Sequence, residues 1–457
     1  MHRPTFRDRR RGALLISAML LAVVIAISLG SYLALSRSSL RLANRSFYHG
    51  ASLNLAETGI EEALWSFNQV TGGASVSAAW QGWDTTDGVT AKRPFTDFTL
   101  SGNTGARVKV YVSHYSPTAA DRPVVVAQSV ITLPDQSRTL GKTIEVELRR
   151  RSKFAMGLVA KNQITFNGNN ATVDSWNSDP DNDPSTAAIP YGPGVRNDRG
   201  SVGSTSVAVG SVAVNNADIW GFASVGSSGA TGLSVGSNGS VLGATSPSGI
   251  KVDTTRVATD FTANFDPVTS PGTGSALGAI GATLGTAGVT ATYRYGGTIN
   301  SSLTIYGQVT LILTALPGNT ALNLTGTDGL TIAAGSSLII YTSADVKIAG
   351  NGLLNSNPSP ASFQLWATDT GSQDIQIAGN GALKGIVYAP NAHVKINGNG
   401  DVMGSIVANN ITVTGNAQFH YDESLANWGA NNPYGIVKWR ELVLAADRDA
   451  YASRLNF

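Results

Sequence analysis

IQIAGNGALKGIVYAPNA, residues 375–392, is followed after His393 by VKINGNGDVMGSIVANNI, residues 394–411. Aligning them matches Gly379, Asn380, Gly381, Gly385 and Ala389 with Gly398, Asn399, Gly400, Gly404 and Ala408, each pair 19 positions apart. Val346-Lys-Ile348, which begins VKIAGNG, is an earlier copy ending in Gly350, Asn351 and Gly352. Each copy opens with a short alternation of β-branched and polar residues, the mark of a strand with one buried face. Each closes on Gly-Asn-Gly, residues that tolerate left-handed backbone at corners. A period near 19 fits one coil of a parallel β-helix, in which each coil pairs its backbone with the next.

Working outward, ITFNGNNATVDSW, SVAVGSVAVNNADIWGFASVG, SSLTIYGQVTLILT and LTIAAGSSLIIYT repeat the texture less regularly. Residues 222–290 are rich in Gly, Ser, Thr and Ala and read as lengthened loops between coils, or as a flexible linker. The β-helix is expected over 156–425. FHYDESLAN and the helix-like IVKWRELVLAADRDA are suited to capping its open end, giving a cap at 426–457. This domain accounts for a composition with 14% charged residues and 51 glycines among 457. The 42% hydrophobic content excludes a disordered chain, and the near-neutral charge of +2 excludes a bulk nucleic-acid binder. With no cysteine, disulfides and thiolate metal sites are absent.

Before the repeats, ARVKVYVSHY, PVVVAQSVITL and GKTIEVELRR read as three strands of a small antiparallel sheet within 71–155, separated by turn signals. Ahead of them Leu53, Ala56, Ile60, Ala63, Leu64 and Phe67 recur at helical spacing, and Gly72-Gly73 should end that helix. From Ala13 to Ser36 no residue is charged. That segment reaches roughly 36 Å as a helix, enough to cross a bilayer. The five arginines among residues 1–12 predict a cytoplasmic N-terminus with the bulk exported. Arg37, Arg41 and Arg45 form a stripe just beyond the apolar segment, read either as a solvated face or as a docking surface for acidic helices.

These residues carry a resemblance. A basic leader (1–12) ending in Gly12, an apolar helix and an amphipathic extension (13–70) resemble the class III signal of type IV pilins and pseudopilins. RGALLISAMLLAVVIAISLG followed by LNLAETGIEEAL is similar to the N-terminal region of the PilX family of minor pilins, through Leu55, Ala56, Glu57, Gly59, Glu61, Ala63 and Leu64. The resemblance covers about residues 9–68. It implies cleavage between Gly12 and Ala13 by a prepilin peptidase, and partners among other pilins or pseudopilins and the inner-membrane assembly machinery. It implies a single-pass bacterial inner-membrane protein. Major pilins carry a glutamate at the fifth mature position, where this chain has Ser17. A buried amine without that partner is costly, so the resemblance points to a tip or priming position.

The expected fold is thus mainly β with a long N-terminal α-helix: a pilin-like α+β unit, then a parallel β-helix. No cofactor is expected. Asp179, Asp181 and Asp183 alternate as calcium ligands do, but no glutamate follows at the twelfth position, and a turn-forming acidic loop fits better. His420, Tyr421 and Asp422, with His393 upstream, suit structural hydrogen bonding at the cap more than catalysis. Tyr295, Tyr306, Trp366 and Tyr388 are candidates for stacking on sugars, or for packing. Three readings stand: a non-enzymatic pilin-like subunit presenting the β-helix for adhesion, a signal-anchored scaffold binding glycan or a cell-surface ligand, and a carbohydrate-active β-helix enzyme.

Overall fold

A computed structural model describes the chain except residues 1–6, 101–103, 118–121, 134–138, 151, 169, 182, 184, 350, 372, 379–382 and 430–431, with backbone alone for 7–14 and 97. It is mainly β with one long N-terminal helix and divides into two compact units, 1–150 with 433–457, and 151–432.

In the first unit a helix runs over Arg7–Thr71. It stops where expected: Gly73 takes φ +101°, and the N–H groups of Gly72 and Ala74 return to the carbonyls of Asn68 and Gln69. Ser52, Ala56, Ile60, Ala63 and Phe67 are buried along one face. They pack on an antiparallel sheet ordered Ala91–Leu100, Thr104–Val112, Val124–Thr132, Thr139–Arg150 and Tyr434–Glu441. Val108, Val110, Val125, Ile144, Val146 and Leu148 supply the apolar side.

The last strand corrects the expected cap at 426–457. Tyr434–Glu441 pairs with Thr139–Arg150, Tyr434 directly opposite Arg150, so the second unit is inserted between two neighbouring strands of the first. The strand is fixed by an otherwise unpaired sheet edge. The Arg440 guanidinium donates to both carboxylate oxygens of Glu145 (3.0 and 2.9 Å), and the Tyr434 ring packs 4.9 Å from that of Phe67. Eight residues of IVKWREL-like texture do not distinguish the two periods, and the available partner decides.

The second unit is one sheet of 21 strands whose strand-to-strand ladders are all parallel among the described residues. The predicted register holds at its centre: Ile377 lies opposite Ile396, and Leu383 opposite Val402. Elsewhere rungs are longer, as where Leu311 lies opposite Ile340. Inward residues such as Val346, Ile348, Ile375, Ile377, Val394 and Ile396 form one continuous core.

The order of rungs along the stack is not the order of the chain. The first strand, Leu158–Phe166, pairs with Asp401–Gly415, one of the last. From there the chain winds outward through Asp218–Val225 to Val257–Ala258. Residues 259–282 then cross to the far end: the Phe261 N–H reaches the Val225 carbonyl, the Asp266 carbonyl accepts from the Tyr388 hydroxyl at 3.0 Å, and Ser275–Leu277 pairs with Thr283–Tyr295. From Thr283 onward the chain winds back, and Gln418–Asp422 closes on Thr172–Trp176. Thus 222–290, expected as loops or linker, holds several rung strands and the crossing strap.

Candidate functional site

The long helix has two environments. From Leu15 through Phe47 its apolar side chains are exposed all round, Leu15 at 64%, Ile27 at 64% and Leu42 at 65%. The span Leu15–Thr71 contains an 18-residue window of mean hydropathy 2.3 with none of that window buried, long and apolar enough to cross a membrane. Beyond Ser52 the same helix is the spine of the antiparallel unit.

Within the family-like segment, Ala56, Gly59 and Ala63 are buried, Leu55 and Leu64 half-buried, and Glu57 and Glu61 exposed. Gly59 marks the closest approach of helix to sheet: a Cβ there would stand 2.7 Å from Val110 Cγ2 and 2.8 Å from Val108 Cγ1. Ser17 lies in the exposed apolar portion. Gly12 and Ala13 fall in the first turns of the helix, where side chains are outside the described residues, as are leader residues 1–6.

Of the predicted corners, Gly352 and Gly398 take φ of +70° and +98°. Asn351 Nδ2 donates to the Thr327 carbonyl at 2.7 Å. Asn399 accepts from Asn416, which in turn accepts from Asn170, an amide ladder continuing across the rungs. Gly400 offers its carbonyl to the Gln418 N–H. Gly350, Gly379, Asn380 and Gly381 lie outside the described residues.

His420 is brought into a charged cluster. Phe419 and Tyr421 enter the core, so alternation turns His420 and Asp422 to the opposite face. There His420 Nδ1 bonds Asp174 Oδ1, and Nε2 stands 2.8 Å from Asp401 Oδ1, close enough for attraction but out of hydrogen-bond alignment. The Tyr191 ring stacks on the imidazole at 3.7 Å, and its hydroxyl donates to Asp174 Oδ2 at 2.9 Å, where Arg196 Nε also arrives at 2.7 Å. Burial, the largest influence, pushes the His420 pKa down, yet Asp174 and Asp401 together outweigh it and hold it above the usual value. Asp174, Asp401, Tyr191 and Arg196 were not among the expected residues. They come from separate stretches, and no local pattern joins them.

Asp422 accepts the N–H groups of Ser178 and Ser424, and the Tyr421 hydroxyl donates to the Phe154 carbonyl. His393 meets Thr412 Oγ1 at 2.9 Å, and burial lowers its pKa. The Asp179, Asp181 and Asp183 carboxylates serve the loop's own turns: the Asp183 N–H donates to Asp179 and Asp181, and Asp183 accepts from Ser185. Among the described residues no group of three acidic, His or Cys side chains is arranged to hold a metal ion. Trp366 and Tyr388 pack against Phe154. Tyr306, at 40%, is the more accessible of these aromatic candidates.

The family model DUF7305, a domain of unknown function, matches residues 294–428. Those limits fall close to the stretch of chain that winds back from the far end of the stack. No curated protein matches the chain. Among solved structures, the crystal structure of the competence-associated pilin ComZ from Thermus thermophilus aligns over 85% of this chain and 97% of its own, at 11% identity and a TM-score of 0.26. That score is too low for a shared fold to follow from it.

Proposed function

We propose that the chain is a membrane-anchored, pilin-like, non-enzymatic subunit that displays a parallel β-helix outside the cytoplasm. The observation that carries this reading is the single helix, uncharged and exposed from Leu15 to Ser36, whose continuation is the packed spine of an antiparallel sheet. An apolar surface of that extent needs a bilayer or a bundle of like helices to cover it.

In this reading a prepilin peptidase cuts between Gly12 and Ala13, and the mature helix moves from the inner membrane into a type IV pilus or a related assembly. Ser17 in place of a carboxylate favours the tip or the priming complex, where no neighbour presents a buried amine. The winding stack serves adhesion or interaction, with a glycan or cell-surface ligand as the class of target.

Co-expression with a prepilin peptidase, followed by mass analysis of the intact chain, tests it. A mature chain beginning at Ala13 is expected. A chain that keeps Met1 through Gly12 under those conditions overturns the pilin-like reading in favour of a static anchor.

A further inference from the structure

Three residue pairs along the helix share one spacing: Arg41 and Glu57, Arg45 and Glu61, His49 and Trp65 are each sixteen apart. Sixteen residues of α-helix advance about 24 Å and turn roughly 160°. The basic stripe and the acidic stripe therefore lie on nearly opposite faces at different heights. One helix cannot satisfy both within itself.

Neither stripe is used inside the first unit. Arg37, Arg41, Arg45, Glu57 and Glu61 are exposed. The ion pairs there, among the described residues, join Arg93 to Glu62, Arg122 to Glu147, Lys142 to Glu441 and Arg440 to Glu145 and Asp447. Trp65, beside the acids on the face turned away from the sheet, is 58% exposed, an uncommon position for so large an apolar ring.

We propose that the Arg41–Arg45–His49 stripe of one copy docks on the Glu57–Glu61–Trp65 face of a second, parallel copy displaced along the helix axis by sixteen residues. Both charge pairs then form together, and His49 meets the free Trp65 ring. The fit is also steric. Arg41 and Ala56 lie within roughly 60° of each other round the helix, so the basic stripe is on the side that the sheet covers higher up. Displacement aligns Ser52, the first fully buried residue of the upper copy, with position 68 of the lower, whose helix ends at Thr71. The lower helix thus runs out where the upper sheet begins.

The inference rests on the proposed membrane anchor, which fixes the relative direction. Two helices that entered the same bilayer from the same side are parallel, and at equal depth their opposite stripes sit about 24 Å apart and cannot meet. The contact forms only when one copy is raised. Because opposite faces are used, it is head-to-tail and does not close on itself.

The absence of native cysteine makes cross-linking clean. Two differently tagged full-length copies, one R41C and one E57C, are co-expressed with the peptidase and assembly machinery and oxidised with copper phenanthroline, the Arg45–Glu61 pair being intact in both. The mixed-tag dimer is expected at least ten-fold above either same-site dimer. Same-site dimers equal to or above it, in chains that are cut and membrane-inserted, overturn the docking and leave the anchor reading standing. Recovery of the chain from the soluble fraction overturns both. A chain carrying both cysteines supports the docking either as dimers or as ladders, and ladders would in addition sink the tip position.

Discussion

His420 and Asp174 face each other across the junction where the last rung strand of the chain meets one of the first, joined by a hydrogen bond from an imidazole 1% exposed to a carboxylate 3% exposed. The pair ties two segments that are remote in sequence, and Arg196 and Tyr191 draw the covering loop onto the same carboxylate.

The junction should therefore be pH-dependent. The His420 pKa is raised in the folded chain, so its contribution is fully present below the unfolded value near 6.5 and is lost as pH rises through the folded value. Thermal melts should show the second unit losing stability as pH rises above about 6.5, and H420A should remove about 2 kcal/mol at pH 6 and flatten that slope. An unchanged slope in H420A would show that other groups set it.

Gly59 should tolerate no side chain. A Cβ 2.7 Å from Val110 Cγ2 has to push helix and sheet apart, and G59A is expected to cost about 1–3 kcal/mol in denaturant unfolding of the first unit. Gly30 has nothing within 4 Å of its Cβ position. G30A should not destabilise, since alanine is the better helix former.

Glu145 should hold the C-terminal strand. Its carboxylate takes both bonds from Arg440 and a third from the Tyr451 hydroxyl at 2.7 Å, and the Arg440 bonds lead in holding its pKa low. Its contribution is present above the unfolded glutamate value and is lost as pH falls through the folded one. E145A should cost about 2 kcal/mol, discounted from a fully buried pair because Arg440 is partly exposed. Limited proteolysis should then cut within 433–457 first.

The inserted unit should be removable. Arg150 and Tyr434 are a directly opposed β pair, so Asn-Gly in place of 151–433 would make a two-residue hairpin of the type that suits antiparallel strands. The shortened chain, purified in detergent, should retain a cooperative melt. A non-cooperative melt would mean that the sheet depends on its insert.

How much of this was legible depends on whether a signal was local. The alternation in 346–348, 375–377 and 394–396 and the Gly-Asn-Gly corners are local, and the 19-residue register between Ile377 and Ile396 was readable from them. The helix stop at Gly72-Gly73 was equally local. The pairing of Val413 with Phe166 was not, because no repeat unit relates those two stretches and only shape and an open rung edge bring them together. The same holds for Tyr434–Glu441. At the candidate site, Ala56, Ile60, Ala63 and Phe67 were readable as the packed face from helical spacing, whereas Gly59 was named only through the resemblance. The partners of His420 come from residues 174, 191, 196 and 401, and a single chain without its fold offers no way to collect them.

Entering the stack in its middle also sets a schedule for folding. The ladder between Leu158–Phe166 and Asp401–Gly415 joins partners separated by most of the second unit, as the hydrogen bond between Ser178 and Asp422 does across 244 positions. Such long loops close slowly, and a strand edge left waiting invites association with other chains. During synthesis the outward-winding strands must stand with one open side until the C-terminal portion arrives. A chain stalled before Asp401 should therefore be the species most dependent on a holding chaperone.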